Sequence, residues 1–319
     1  GSVAGITYAR FRLSSTGGLS PYGPAADGEV EDYRGLLRDS SVAGTVYVDP
    51  AFDGTVYGED PDGAGPAQAY GFDSAPTIWG GVSISIGGVG DTVSVAPGTY
   101  TLSPTIWADK DDLILKGSTG NPADVVLDPA FAGIEVLADN VTIQDLTVTG
   151  TAGAGGHGIF ANGVSGLTID NVVLSNIVSS GVSLTGVVSA TLVDVTSAGN
   201  NEGVSASTGG SLAIIGGDFS NNAYSGIDAS QVDNVSVTGA VSNGNGSDGL
   251  SATFAQNVTV TGGSFSGNGY YGIDIMAAGA IALDGVTADG NGWDGARFDR
   301  YGSGSTMSVS VTDGSFSGN

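Results

Sequence analysis

Apolar and polar positions alternate in short runs along most of the chain, and the runs return at a fixed interval. From Gly158 onward a glycine followed by an apolar residue opens each unit, at intervals of 23, 22, 23, 23, 23 and 23 residues. A constant period of roughly 20 to 50 residues is typical of solenoid proteins. Because the alternation has period two and no helical periodicity, the sequence predicts a solenoid built from β-strands. The unit openings are Gly158-Ile159, Gly181-Val182, Gly203-Val204, Gly226-Ile227, Gly249-Leu250, Gly272-Ile273 and Gly295-Ala296.

The unit at residues 249–271 shows how one coil is built. Leu250 and Ala252 share one side of a short strand, a second strand alternates around Val258 and Val260, and a third piece ends at Gly267-Asn268. Glycine and asparagine suit the corners because both adopt positive φ at low cost. Three strands and three corners predict an all-β fold, a parallel β-helix, in which equivalent residues of successive coils stack about 4.8 Å apart.

Stacking the units sorts their residues into columns with different environments. Positions one and three after the opening glycine are apolar and are predicted to form the core, whereas the position two after it is mostly polar and is predicted to face outward. An asparagine recurs nineteen positions after the glycine, where side-chain amides are expected to hydrogen-bond from coil to coil as part of the scaffold. These asparagines are Asn200, Asn222, Asn245, Asn268 and Asn291.

Charge limits the partners that the chain can have. It carries 33 acidic and 8 basic residues, a net charge of −25, and no cysteine. Such a surface repels nucleic acid and anionic membranes, so we expect no nucleic-acid partner. The sequence has no apolar run long enough to span a bilayer, so we expect no membrane insertion. The acidic balance suits calcium, a salty medium or simple solubility.

The first 38 residues do not follow the repeat. Two motifs, TYARFRLSS at residues 7–15 and DGEVEDY at residues 27–33, resemble the end of the GEVED-type β-sandwich module of large bacterial surface proteins. The resemblance implies a strand at each motif and an extracellular, bacterial cell-surface location. The acidic Glu29, Glu31 and Asp32 would either hold a cation or pair with nearby arginines, namely Arg10, Arg12 or Arg34.

Residues 39–76 are expected to form an acidic connector rich in glycine and proline. Four acidic residues crowd one loop, and hard oxygen ligands on a flexible loop can bind calcium. The alternative is a solvated acidic loop, since the spacing differs from that of the EF-hand. The candidate calcium ligands are Asp53, Glu59, Asp60 and Asp62.

The segment DTVSVAPGTY at residues 91–100 resembles the first strand and turn of pectin-lyase-like right-handed β-helices. With the repeats, the resemblance covers residues 77–319 and implies a right-handed helix. Residues 315–319 repeat residues 264–268, so we expect further coils beyond the C-terminus. Because this fold carries many functions, the resemblance implies the fold more strongly than an activity.

Two features of the coils are candidates for chemistry. Arg297 follows Asp274 and Asp228 in one outward column. Arg297 would act there as a base, with Asp274 and Asp228 as calcium ligands, or it would simply form an ion pair with Asp274. Three aromatic residues, Tyr224, Tyr270 and Trp293, share a corner, where they would bind a sugar chain, contact another subunit or pack locally.

The sequence favours an extracellular structural protein that is not an enzyme. A rigid β-solenoid rod would contribute to a surface layer, filament or adhesin, through self-assembly or contacts with other surface proteins. The alternative is a calcium-dependent polysaccharide lyase or a polysaccharide-binding β-helix that acts at Tyr224, Asp228, Tyr270, Asp274, Trp293 and Arg297.

Overall fold

The computed structural model describes residues 5–15, 30–150, 156–302 and 306–319, without the side chain of Arg34. Its elements are short strands with a single α-helix among the described residues. They are β1 Gly5–Arg12, β2 Val30–Leu37, β3 Thr45–Val48, β4 Ser74–Ala75, α1 Ile78–Ile84, β5 Thr92–Val95, β6 Gly98–Leu102, β7 Ile106–Ala108, β8 Ile114–Gly117, β9 Val125–Pro129, β10 Ile134–Val136, β11 Thr142–Gln144, β12 Thr147–Thr149, β13 Ile159–Asn162, β14 Leu167–Asp170, β15 Val173–Ser175, β16 Ser180–Thr185, β17 Ser189–Val193, β18 Thr196–Ala198, β19 Glu202–Ile215, β20 Ile227–Thr238, β21 Leu250–Ala255, β22 Asn257–Thr261, β23 Ile273–Ala277, β24 Ala280–Asp284, β25 Ala296–Arg300 and β26 Ser308–Thr312.

The strands wind into a parallel β-solenoid of about eleven turns, which confirms the predicted fold class. One face consists of β7, β10, β13, β16, β19, β20, β21, β23 and β25, each hydrogen-bonded in parallel to the next. A second face runs from β3 and β5 to β24 and β26. The long strands β19 and β20 bend through the corner between these faces, and a third face is formed by β6, β9, β12, β15 and β18.

The core is the stack of apolar columns that the repeat predicts. Ile159 pairs with Val182, Val182 pairs with Val204, and Val204 pairs with Ile227, all of them fully buried. The opening glycine is required because the next coil passes too close for a side chain. A Cβ atom on Gly249 would lie 2.6 Å from the carbonyl oxygen of Gly272. Sheet packing therefore explains the most regular feature of the sequence.

The predicted asparagine ladder is present inside one corner. Asn245 is 2% exposed and donates from its side-chain nitrogen to Asn268 Oδ1 at 3.0 Å, while its own Oδ1 accepts the backbone N–H of Asn222 at 2.9 Å. Asn291 continues the pattern by donating to Asn319 Oδ1 at 2.9 Å. The ladder pairs buried amides that would otherwise lack partners.

The N-terminal end of the solenoid is covered by α1. Thr77 caps this helix by accepting a hydrogen bond from the N–H of Gly80, and Ile78 and Val82 are buried against the first coils. The solenoid sheet begins inside the segment expected to be a connector, because β3 pairs in parallel with β5. Helix and strand together close the apolar core at this end.

Before the solenoid, β1 and β2 form an antiparallel pair. Asp32 accepts two 2.6 Å hydrogen bonds from Arg10, which confirms the ion-pair interpretation for this carboxylate. Glu29 and the turn around it lie outside the described residues. Assignment of the pair to a GEVED-type module stays a prediction.

Candidate functional site

The first face of the solenoid carries one continuous column of outward side chains, here called the outward column. It contains Asp228, Asp274 and Arg297 in the register predicted from the repeat. The residues that come directly before the opening glycines form a second line beside it, here called the corner column. Backbone hydrogen bonds between successive coils align them. The outward column is Trp107, Glu135, Phe160, Ser183, Ser205, Asp228, Ser251, Asp274 and Arg297. The corner column is His157, Ser180, Glu202, Ser225, Asp248, Tyr271 and Asp294.

Arg297 joins the two columns. Its Nε lies 3.5 Å from Asp274 Oδ1, its Nη2 donates to Asp299, and its Nη1 donates to the Tyr271 hydroxyl at 2.9 Å. The guanidinium carbon also lies 5.0 Å from the centre of the Tyr271 ring. The hydrogen bond to Tyr271 and the two carboxylates raise the pKa of Arg297. A guanidinium held this way is a fixed cation, which fits the ion-pair interpretation. The alternative interpretation of Arg297 as a catalytic base stays a prediction.

Three carboxylates on this side of the solenoid have environments that favour their protonated forms. Burial is the main cause that raises the pKa of Asp228, Asp248 and Asp274. Repulsion adds to it at two of them, because the charge of Asp248 raises the pKa of both Asp228 and Asp274, whereas Arg297 partly offsets the effect at Asp274. Carboxyl groups whose pKa values move toward neutrality are suited to proton transfer.

The side chain of Asp274 is less exposed than those of Arg297 and Asp299, the two charged residues of the same ion-pair group. Its side chain is 14% exposed, compared with 35% for Arg297 and 47% for Asp299. Its Oδ1 is buried and accepts no hydrogen bond from the described residues, although Arg297 is near. The predicted Asp274–Arg297 ion pair therefore exists, but it leaves the carboxylate incompletely satisfied.

The aromatic corner lies beside the Arg297 cluster. Trp293 packs edge-on against Tyr270 at 4.7 Å and against Tyr271 at 5.2 Å between ring centres. Tyr270 and Trp293 remain 44% and 54% exposed, so their outer faces are open to solvent. Tyr224 is in the same stack of coils but is separated from Tyr270 by Ser247. The structure thus brings two of the three predicted aromatic residues together.

Asp248 and Tyr271 are the members of the cluster that sequence analysis missed. Asp248 accepts the backbone N–H of Tyr271 at 2.9 Å, and Tyr271 in turn accepts from Arg297. Both residues come directly before an opening glycine. Tabulating that position through the repeat would have placed them in one column.

The four candidate calcium ligands lie far from this cluster in sequence, on the loop before β4. Asp60 Oδ1 accepts backbone hydrogen bonds from Asp62 and Gly63, and Asp62 accepts one from Ala67. These bonds shape the loop. Asp53 and Glu59 are exposed. Among the described residues, no three acidic or histidine side chains are grouped to hold a metal ion. Calcium binding stays a prediction.

The family is decided by a match over more than half of the chain. Residues 132–308 match the family model described as the right handed beta helix region. The chain belongs to this right-handed β-helix family. The match covers the coils that carry Asp228, Asp248, Asp274 and Arg297, so the cluster lies within the family's characteristic repeat. No helix among the described residues of this β-helix is long and apolar enough to cross a membrane.

Two solved structures with a similar fold are those of enzymes. Pectate lyase Pel9A is 17% identical, with 86% of this chain and 78% of that chain covered and a TM-score of 0.62. The A-module of mannuronan C-5 epimerase AlgE4 from Azotobacter vinelandii is 19% identical, with 70% and 68% covered and a TM-score of 0.56. No curated protein matches the sequence.

These structures correct one sequence-based expectation. The prediction that the chain is not an enzyme is contradicted, because the solved structures similar to this chain are those of a lyase and an epimerase named for polysaccharide substrates. At identities this low the likeness itself establishes the fold. An activity depends on the side chains that this chain places on the shared fold.

Proposed function

We propose that this β-helix is an enzyme that acts on a polysaccharide laid along its outward column. One observation carries the proposal: half-buried carboxyl groups with raised pKa values surround a fixed arginine beside exposed aromatic rings. Exposed ring faces suit the apolar faces of sugars. The carboxyls suit proton transfer to and from the sugar oxygens.

Asp248 and Asp274 are the proposed acid–base pair. Burial raises the pKa of both carboxyls, and the charges of Asp248 and Asp299 raise the pKa of Asp274 further. Two interacting carboxyls release their protons in separate steps, so one is protonated while the other is charged. Such a pair supplies an acid and a base within one site. Arg297 orients Asp274 and Tyr271 through direct contacts.

The proposal includes an extracellular location, because an enzyme that acts on large polysaccharides encounters them outside the cell. Self-assembly and contacts with other surface proteins stay predictions. They are compatible with an enzyme, since the outward column occupies one of three faces.

The test is activity of the purified chain on a panel of polysaccharides, with Asp274→Asn and Asp170→Asn compared. Asp170 is a matched control, because burial and neighbouring carboxylates raise its pKa too, yet it lies on β14 in the second face. We expect Asp274→Asn to lower the rate by about a hundredfold or more, and Asp170→Asn to leave it unchanged. An Asp274→Asn variant as active as the parent chain would refute the assigned site.

If the parent chain neither binds nor alters any polysaccharide in the panel, the proposed function itself fails. Product analysis then separates reaction types. Elimination gives a product that absorbs ultraviolet light, hydrolysis gives new reducing ends without that absorbance, and epimerisation gives neither.

A further inference from the structure

The outward column does not end at the carboxylate cluster. Toward the N-terminal end it passes through two serines to Phe160, Glu135 and Trp107. Trp107 is 44% exposed. Phe160 is stacked on His157, with ring centres 5.7 Å apart and planes 19° from parallel. An aromatic platform therefore exists at each end of the same line of side chains.

The spacing of the two platforms follows from the coil repeat. Trp107 and Arg297 are separated by eight inter-coil steps, about 38 Å at about 4.8 Å for each step. Between Phe160 and Arg297 the side chains are short or acidic: Ser183 and Ser251 are buried, and Ser205 is half-buried. This track therefore has aromatic rings near both ends and short or acidic side chains between Phe160 and Arg297.

The charge along this track is almost entirely negative. Its one basic side chain is Arg297, and the donors of Arg297 are engaged by Tyr271 and Asp299 while Asp274 faces its Nε. His157 adds no charge at neutral pH, because burial lowers its pKa. Lys110 follows Trp107 by three residues in the sequence, and its Nζ lies 3.6 Å from Asp109 Oδ1, so its charge is paired. The carboxylates of the two columns are Glu135, Glu202, Asp228, Asp248, Asp274 and Asp294.

A polymer with a carboxylate on each sugar would meet these groups as like charges. Repulsion of this kind lowers the affinity for the charged polymer and so favours uncharged ligands. Hydroxyl groups, in contrast, donate to carboxylates and pack their C–H faces on aromatic rings.

We propose that the substrate is an uncharged polysaccharide that spans the outward column, with distant sugar units bound at Trp107 and Phe160. This inference rests on the proposed function and specifies its substrate class and a remote subsite. It sets the chain apart from the pectate lyase and the mannuronan epimerase that share its fold.

An uncharged sugar also constrains the reaction. It has no carboxylate to acidify the neighbouring C–H bond, so the reaction that Asp248 and Asp274 can serve is hydrolysis. The protonated carboxyl gives its proton to the leaving glycosidic oxygen as the bond to the anomeric carbon breaks. The ionised carboxylate takes a proton from water, whose oxygen forms the new bond to that carbon.

Binding of the Asp274→Asn chain to neutral polysaccharides and to polyuronates tests the substrate class. Glucan, galactan, mannan, xylan, pectate and alginate would be compared at low and high salt, with calcium and with a chelator. We expect a neutral polymer to bind with little dependence on salt, because uncharged ligands are not screened. A polyuronate bound or cleaved with or without calcium, and no neutral polymer, would overturn the inference and leave the proposed function standing.

The remote subsite is tested by Trp107→Ala, with Trp79→Ala as the matched control. Trp79 is 54% exposed but lies on α1, outside the outward column. We expect Trp107→Ala to weaken binding of the long polymer about tenfold, with a smaller loss for shorter oligosaccharides of the same sugar, and Trp79→Ala to have no effect. Loss that is equal at every chain length, or no loss at all, would refute the subsite.

Discussion

Asp228 lies in surroundings that favour its neutral form. Burial raises its pKa, and Glu202 and Asp248 add to the effect, against an opposing hydrogen bond from Ser230. A carboxyl with a raised pKa in the folded state contributes stability below its unfolded pKa, and this contribution is lost as the pH rises through the folded value. The site thus lowers the stability of the fold at neutral pH, a cost often seen at functional sites.

Replacing this carboxyl should therefore stabilise the chain. We expect Asp228→Asn to raise the midpoint of thermal unfolding at pH 7. The gain should shrink as the pH falls toward about 3.9, where aspartate in the unfolded chain becomes protonated. Thermal melts of both chains followed by circular dichroism, from about pH 3 to about pH 8, would measure the difference between their midpoints while the carboxyl ionises. A gain independent of pH would show that ionisation is not its cause.

The period of the repeat predicts which residues share a column, but not the partners of long side chains. Asp228, Asp274 and Arg297 were aligned correctly because position two after the glycine lies on a regular strand. Asp248 and Tyr271 lie in the corner, where local backbone geometry sets the direction of each side chain. The fixation of Arg297 by Tyr271 and Asp299 depends on rotamers that the period does not specify.

At the scale of the coil, the asparagine ladder links neighbouring turns. The side chain of Asn245 serves three partners: it accepts from Asn222 and donates to Asn268 and to Ser242 Oγ. All of these groups are buried. A buried polar group without a partner is costly, so each rung depends on the next.

Removal of one rung should be strongly destabilising. We expect Asn245→Ala to lower the free energy of unfolding by roughly 1–3 kcal/mol for each buried group left unpaired. The control is Asn234→Ala, because Asn234 is exposed and accepts from Asn257 at 2.9 Å outside the core. Its change should stay within about 0.5 kcal/mol. Denaturant titration of both variants measures the difference, and equal values would contradict a special role for the ladder.

The strand order of the coils could be predicted, whereas the start of the solenoid could not. Seven opening glycines set the register of the later coils. In contrast, β3 joins the sheet through a parallel pairing with β5 across a long excursion that contains α1. No repeat marks that pairing, because the intervening segment differs in length and composition from every coil.

For the whole molecule, the exposed end of an apolar core is the main hazard, and α1 covers it. Val82 is 3% exposed and packs toward the first coils, whereas Ser83 on the same helix is exposed. Solenoids need such caps to remain soluble. The cap is therefore part of the fold's stability rather than an appendage.

A charge placed under the cap should open this end. We expect Val82→Asp to lower the midpoint of thermal unfolding and to cause association, because a buried unpaired carboxylate is costly. Ser83→Asp should do neither. Light scattering during a thermal melt measures both properties. If the two variants behave alike, α1 does not seal the core.

The expectation that the chain is not an enzyme is the part of the sequence analysis that the similar solved structures contradict. The coils contain few basic residues, and their carboxylates are spread over several repeats. A sparse distribution along the sequence suggested a passive rod. Winding brings these residues onto one face, so chemical groups that are about 23 residues apart become neighbours.

The register of the coils also makes the solenoid a ruler. Because every outward residue sits directly above its equivalent, removing or inserting one complete unit would leave the core, the ladder and both aromatic platforms intact. Only the distance between the platforms would change, by one step of about 4.8 Å. Gain or loss of a single repeat in the gene would thus change the length of the proposed binding path by one step, without altering the side chains at either end.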